Sequence, residues 1–594
     1  MKKFTMLSSV LASALMLTVA SCSSEDVAGG DAQNGKGATS YLAVNIENVG
    51  SAPASRSSYN KGDGTYEDGT EAESKINNVR FYFFNGDGTP YLLDNNGSEK
   101  QPVNFLDQKV ETDGNDHDHT AEIKTKAVLV LKGETKAVPA SVIAVINPEV
   151  LDNTTLQSGT MTLSELRTSA TGSTFYDKTN GFVMSNSVYE SAGQDVCSTP
   201  VANNVFATSD AALKQPVDIY VERVNAKVNA RIDADYVRTN ETEKAWSKNA
   251  DGKYQIEVGS IDVTTYEENT NAAPTKHTYP VYAVVQGWQL ADADGKAEVC
   301  KQINTSWYAG ELGISPWTTS DYHRCFWSKS VPFTLGAQGG ANHPVNPKFE
   351  DIKLSLSGEF SAEPVYTLPN TPDKVVTNPK TSVNTLTKLI VAAKLVYQDD
   401  NGNYKNAQVC QYRGLTYLGE EAVKKQIVGG FAKYFKKTAT GYQSIEASDI
   451  AFKTAPGSSE VKNYEVVATL ASTVGDLYVK NGEAWTKVPN KDDVNAALAK
   501  EEAQVRTADG ATYYYTPIKH LGTPGTLGEY GIVRNHSYQV TIQNIKGFGT
   551  PVYDPKKEID PMVPSDENTY LAASIKVLSW RVVSSKVDLD QTTK

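Results

Sequence analysis

VDIYVERVNAKVNARI, Val217 to Ile232, is the stretch on which the fold turns. Apolar and polar residues alternate along it with period two, the pattern of a strand with one buried face. The apolar phase switches between Val221 and Val224, as at a bulge or at a crossing between two sheets. One run that starts in one sheet and ends in another implies stacked β-layers, with a domain boundary just after it, near Asp233 to Asn240.

The same texture extends to both sides. Upstream, Tyr41 to Val49 (YLAVNIENV) places Leu42, Val44 and Ile46 on one face and Tyr41, Ala43, Asn45 and Glu47 on the other. Asn78–Phe84 reads as a strand followed by the hairpin-turn sequence Asn85-Gly-Asp-Gly88, and Ala127–Leu131 and Ser141–Ile146 read as buried strands. Downstream, strands are expected at Tyr282–Val285, Phe349–Ser357, Leu389–Val396 and Tyr538–Ile545. Two segments read as helices, Glu420–Lys437 and Lys491–Val505, the second with Asn490 as N-cap and Asp492 and Asp493 in its first turn. The class is all-β, with sandwiches carrying a few helical insertions.

The two ends of the chain stand apart. Lys2 and Lys3, an apolar stretch from Phe4 to Ala20 and the small residues Val19-Ala20-Ser21 precede Cys22. A secretory leader that ends at a cysteine predicts a bacterial lipoprotein, its Cys22 thiol carrying diacylglyceryl. The apolar stretch is too short for a permanent span. Residues 23–39 read as a polar tether, and residues 50–64 form a second polar loop containing Arg56 and Lys61. At the other end, after the proline-rich stretch Pro551–Pro564, Tyr570 to Val587 (YLAASIKVLSWRVVSSKV) alternates again. Ile575 and Val577 share one face, and Leu578, Trp580 and Val582 the other, a shift that predicts a bulge or crossing. A long apolar strand at a chain end needs an acceptor.

With 594 residues, more than one core is expected, and 39% apolar with 21% charged residues is ordinary globular composition. A formal charge of −13 argues against nucleic acid and against a polybasic membrane patch, leaving the Cys22 lipid as the membrane contact. Cys197, Cys300, Cys325 and Cys410 show no metal spacing; a Cys300–Cys325 bridge and buried free thiols both remain open. His117-Asp118-His119 lacks a third ligand and reads as a solvated loop, while Asp63, Asp68 and Asp87 read as turn residues. His536 and Ser537 lack a nucleophile elbow, and Trp307, Trp317 and Trp327 read as sandwich core. The chain is not expected to be an enzyme or to hold a cofactor or metal.

His520-Leu-Gly522, Tyr530-Gly-Ile-Val-Arg-Asn-His-Ser-Tyr538 and Ile545–Pro551 resemble the C-terminal domain of Bacteroidales fimbrillins, the subunits of type V pili. The likeness is to the shaft subunits of Mfa-type fimbriae. Val221–Val228, Gly287-Trp288, Tyr322–Trp327 and Ile575–Val583 support it. The resemblance implies two transthyretin-like β-sandwiches with a C-terminal donor strand. It also implies export as an outer-membrane lipoprotein, cutting by a trypsin-like or arginine-specific protease, and head-to-tail polymerisation by strand exchange into a surface fimbrium that supports adhesion and biofilm formation. Anchor and tip pilus subunits are the further partners.

On that pattern the chain divides into a leader (1–21), a lipidated propeptide with the first strand (22–56), N-terminal (57–235) and C-terminal (236–564) sandwiches, and a donor tail (565–594). Cys22 maps to the lipid site and Arg56–Ser57 to the cut. Leu42, Val44 and Ile46 map to the displaced strand, and Ile575, Val577, Leu578, Trp580 and Val582 to the donor. Arg80 fits the cut less well because it sits in a strand. The alternative from another class is a surface glycan-binding lipoprotein of a polysaccharide uptake system.

Overall fold

The computed structural model describes residues 39–48, 66–68, 70–94, 102–109, 125–133, 137–151, 156, 160–168, 170–171, 175–186, 189–191, 194–237, 244–265, 275–303, 328–331, 345–376, 386–456, 464–559, 561 and 570–581. Its first half contains β1 (Thr39–Asn48), β2 (Tyr66–Asp68), the short helix α1 (Glu71–Ser74), β3 (Asn78–Phe84), β4 (Phe105–Lys109), β5 (Thr125–Lys132), β6 (Ser141–Ile146), β7 (Met184–Asn186), β8 (Val205–Phe206) and β9 (Val217–Arg223). Except for β2, these strands form one sheet in the order β8-β1-β9-β7-β6-β3-β4, with β5 also paired to β1. The sheet is apolar on both faces. Phe81, Phe83, Val142, Ala144 and Ile146 enter one core, and Tyr82, Phe84, Ile143 and Val145 enter another. This is why β3 and β6 read as unbroken apolar runs rather than as alternating strands.

Val217–Ile232 is two strands in two sheets. After β9 the chain crosses at Val224-Asn225 into β10 (Ala226–Ile232). The second half adds β11 (Tyr254–Thr265), β12 (Thr275–Ala291), β13 (Val365–Thr367), β14 (Lys388–Gln398), α2 (Glu420–Phe431), β15 (Tyr434–Thr438), β16 (Gly441–Ser444), β17 (Leu477–Asn481), β18 (Ala484–Lys487), α3 (Lys491–Leu498), β19 (Ala511–Pro517), β20 (His536–Lys546) and β21 (Tyr570–Arg581). A five-stranded sheet β2-β21-β20-β10-β13 faces a seven-stranded sheet through β11-β12-β14-β19. Val228, Val540, Trp288, Val391 and Tyr514 interdigitate in the core between them. The molecule is all-β, built of β-sandwich layers with a few helices.

Several expectations change. Phe349–Ser357 is not a strand: residues Phe349–Asp351 form a 3-10 turn. The segment then touches β12 at a single bridge, with the Trp288 amide donating to the Leu354 carbonyl at 3.1 Å. That crossing lies at a register shift between Val285 and Gly287, where a β-carbon on Gly287 would come within 2.8 Å of the Leu354 oxygen. A glycine there lets two backbones meet.

Both helices are shorter than expected. Phe431 ends α2 because Tyr434–Thr438 pairs with β16 and β17, and α3 stops at Leu498 before a strand at Glu502–Gln504. The Asn490 side chain does cap α3, accepting from the Asp492 amide at 3.0 Å. The start of the proline-rich stretch is packed rather than a spacer, since Val552 and Ile559 are buried. Cys197, Cys300 and Cys410 are buried, and Cys325 lies outside the described residues. Burial pushes the Cys410 thiol up to about 12, away from reactivity. Among the described residues no helix is long and apolar enough to cross a membrane, and no group of three His, Cys, Asp or Glu side chains could hold a metal.

Candidate functional site

β1 is held along both edges. β5 runs antiparallel to it from Thr39 to Ile46, while the opposite edge pairs with β8 at Tyr41–Leu42 and in parallel with β9 at Val44–Asn48. Leu42, Val44 and Ile46 are each 1% exposed or less, packed in one core with Leu129, Leu131, Phe81, Phe83, Ile219 and Val221. Asn45 lies on the other face, its Nδ2 donating to Asp218 Oδ1 at 2.9 Å. Taking β1 away would leave a slot with two unpaired edges, those of β5 and β9, above an apolar floor.

β21 sits differently. It pairs antiparallel with β20 over its first ten residues, Tyr570 to Ser579, and Leu571 enters the core between the sheets. On its other edge only Ser579–Arg581 has a partner among the described residues, the three-residue parallel strand β2. Ile575, Val577, Leu578 and Trp580 therefore all lie in one strand of the chain's own sandwich, and Val582 lies outside the described residues. The expected bulge is absent at Val577–Leu578, where pairing with Tyr538 and Ser537 is regular. The register shifts instead on β20, between Ile542 and Asn544. β1 and β21 belong to different sheets.

A buried polar knot joins the two halves. Thr70 and Glu73 form a capping box on α1, and the Glu73 carboxylate meets Lys227 at 3.0 Å and the Tyr366 hydroxyl at 2.6 Å. Burial alone would raise this carboxyl; Lys227, Tyr366, the Thr70 amide and Arg223 together hold it below its ordinary value. Arg223 donates to the Glu73 carbonyl at 2.8 and 3.0 Å and to Asn535 Oδ1 at 3.1 Å. Asn535 takes a left-handed backbone (φ 54°), and its amide donates to the Asn225 carbonyl at 2.8 Å. Arg534 donates to the carbonyls of Glu298 and Val299. The Tyr538 hydroxyl accepts from the Val533 amide at 2.8 Å and lies 2.9 Å from His520 Nδ1. The Tyr530–Tyr538 motif is thus bonded to residues far along the chain on both sides of the sheet crossing, and His536 and Ser537 are buried packing residues within it.

Cys22, Arg56 and Ser57 lie outside the described residues, as do Lys61, His117–His119 and Trp307, Trp317 and Trp327. Arg80 lies in β3, ion-paired with Asp107 at 2.6 Å, which no accessible cleavage site requires. Asp87 is a turn residue, accepting from the Thr89 amide at 3.0 Å. Sequence reasoning missed β2, whose three residues are too short to show any period, and the α1 anchor. A signal for α1 was present in Thr70-Glu-Ala-Glu73, a Ser/Thr-x-x-Glu capping box.

The fold is one of sandwich layers closed by a long terminal strand. Residues 508–586, from β19 through the knot to β21, match the family model for the major fimbrial subunit protein type IV, fimbrillin, C-terminal, so this part of the chain is that of a fimbrillin. Among solved structures, the chain is similar to a candidate cell adhesion protein from Parabacteroides distasonis at 13% identity, TM-score 0.33, covering 93% of this chain and 99% of that one. A candidate cell adhesion protein from Bacteroides eggerthii shows 10% identity and TM-score 0.31, covering 93% and 100%. The tip fimbrial protein Mfa3 from Porphyromonas gingivalis, with C-terminal truncation, shows 10% identity and TM-score 0.29, covering 91% and 100%. At such scores the likeness carries no inference of its own. No curated protein matches the chain.

Proposed function

We propose that this pilus subunit is the shaft (major) subunit of a type V pilus, exported as a lipoprotein on Cys22, cut between Arg56 and Ser57, and polymerised by donor-strand exchange. In this reading proteolysis removes Leu42, Val44 and Ile46 with β1. The tail of a neighbouring copy, carrying Ile575, Val577, Leu578, Trp580 and Val582, fills the slot. One strand given and one received per subunit makes a head-to-tail contact that does not close, hence a filament.

The observation that carries the reading is the position of β1. It is an interior strand, bonded on both edges and seated in a continuous core, yet it lies on the N-terminal side of the arginine-bearing loop. Burying its three apolar side chains stabilises the fold by about 5–9 kcal/mol before ladder bonds. A whole domain is stable by only roughly 5–15 kcal/mol. A cut subunit without β1 therefore needs another strand. Addition of a neighbour's strand satisfies both open edges through backbone hydrogen bonds and sets register through alternating pockets.

Mass spectrometry of subunits from sheared surface filaments tests this. A mature N-terminus at Ser57, together with loss of filaments in Arg56→Ala, is expected. Functional protein retaining lipid on Cys22, or wild-type polymer yield from Arg56→Ala, overturns the cleavage step. Deleting residues after Pro564 is expected to leave a soluble subunit that does not polymerise, and filaments of normal length would remove the donor role.

A further inference from the structure

Between β14 and β19 the chain leaves the sandwich and builds a separate module with its own core, in which Val423 and Ile427 of α2 meet Val466 and Leu498. Part of it is a four-stranded antiparallel sheet, β16-β15-β17-β18. Registers Lys437↔Tyr442, Phe435↔Tyr478, Tyr478↔Lys487 and Lys480↔Trp485 put Phe435, Lys437, Tyr442, Tyr478, Lys480, Trp485 and Lys487 on one face. Tyr434 and Leu477 take the opposite face into the module core. The four aromatic residues belong to no core cluster of the described residues and are half-buried. Tyr442 stacks on Trp485 at 4.2 Å between ring centroids, Phe435 meets Trp485 edge-on at 4.7 Å, and Tyr442 meets Tyr478 edge-on at 5.0 Å.

The charge around these rings is one-sided. Lys437 and Lys480 have no carboxylate partner among the described residues, and the Lys480 ammonium lies 5.7 Å from the Trp485 ring centroid. Lys487 is paired with Asp476 at 2.7 Å, and the remaining acid at the rim is Glu483 in the β17–β18 turn. On the inward face, by contrast, Lys436 is paired with Asp449 at 2.7 Å. Cross-strand aromatic pairs stabilise a small sheet by roughly 0.2–1 kcal/mol each. That structural role accounts for the rings, but it needs no three lysines beside them in a chain of net charge −13.

We propose that this face binds an acidic glycan chain, one bearing carboxylates at intervals. Pyranose C–H faces stack on the aromatic cluster, and Lys437 and Lys480 take the carboxylates. The rings hold one another in place, so little side-chain freedom is lost on binding. A denser polyanion is the poorer fit. Nucleic acid carries a phosphate on every residue, and the field of the acidic body opposes it. The site stands apart from β1 and β21, so it does not depend on the strand-exchange reading.

The test is titration calorimetry on the full-length soluble monomer with hyaluronan and polygalacturonate oligosaccharides, using neutral chito-oligosaccharides and single-stranded DNA as comparators. Saturable binding to an acidic glycan, weakened by salt and lowered about tenfold or more by Trp485→Ala, supports the site. Lys437→Glu with Lys480→Glu leaves the aromatic packing in place. It is expected to abolish the preference for acidic over neutral glycans while the melting temperature stays within a few degrees. No binding to either acidic glycan, equal binding of neutral ones, or tighter binding of DNA overturns the proposal.

Discussion

β1 and β21 are both long apolar strands near chain ends, yet the fold holds them in opposite ways. β1 has ladder partners on both edges over nearly all its length and buries its apolar side chains completely. β21 is longer, twelve residues against ten, but apart from three residues beside β2 it is bonded along one edge among the described residues. Strand length does not decide how firmly a strand is held; the number of bonded edges and the depth of the core do. An interior strand leaves its sheet only if the chain is cut, whereas a strand near an edge can peel away. In the function proposed above, β1 would be the strand removed by cleavage and β21 the strand donated, so the proposal asks β21 to exchange one bonded edge where β1 would give up two.

The largest effect expected is from charge in β1. Ile46→Asp places a carboxylate in the core and should destabilise the uncut precursor by about 3–5 kcal/mol in denaturant unfolding. Val577→Asp in β21 should leave a folded, cleavable precursor that fails to polymerise in a sedimentation assay. Equal unfolding by both would erase the contrast.

Acid separates the two regions next. Burial holds the His520 imidazole at about 3, against 6.5 when unperturbed, beside Tyr538 and with His536 ring-to-ring at 5.4 Å. The unfolded chain takes up a proton below pH 6.5 that the folded chain refuses until about pH 3. Stability is therefore lost as pH falls through that window, by up to about 1.4 kcal/mol per unit. The described histidines lie in the second half, so hydrogen exchange at mildly acid pH should rise first in β20 and β21, and His520→Gln should flatten the slope.

Leu42→Ala should cost the precursor about 2–5 kcal/mol. If cleavage removes β1 as proposed, it should cost the cut subunit nothing; calorimetry on both forms makes the comparison. Smallest, Asn490→Ala should lower stability by about 1 kcal/mol through loss of its cap on α3. It should leave assembly untouched, since α3 belongs to the inserted module.

Much of this was legible in the residues. Asn78–Phe84 and Ser141–Ile146 are strands with the bounds read from composition, and the phase switch after Val221 is the crossing between sheets. Period and turn chemistry are local, so they survive in the sequence. Other features were hidden because they depend on partners far along the chain. Tyr434–Thr438 reads as the end of a helix but becomes a strand because β17, some 40 residues on, pairs with it. Phe349–Ser357 has the composition of a strand, yet the bulge at Gly287 admits only one bridge. The tail's phase shift proved to have no bulge of its own, because the extra residue was accommodated on β20.

By itself the sequence determined which segments are extended, which faces are apolar, and that the C-terminal motif belongs to a fimbrillin. Alternation and turn residues act over a few bonds, and no neighbour is needed to read them. Only the tertiary structure decided that β1 is interior and β21 nearly at an edge, and that Arg223, Asn535 and Glu73 meet in one knot. Strand order and buried polar contacts arise from pairings between residues hundreds of positions apart, and no local pattern encodes which partner wins.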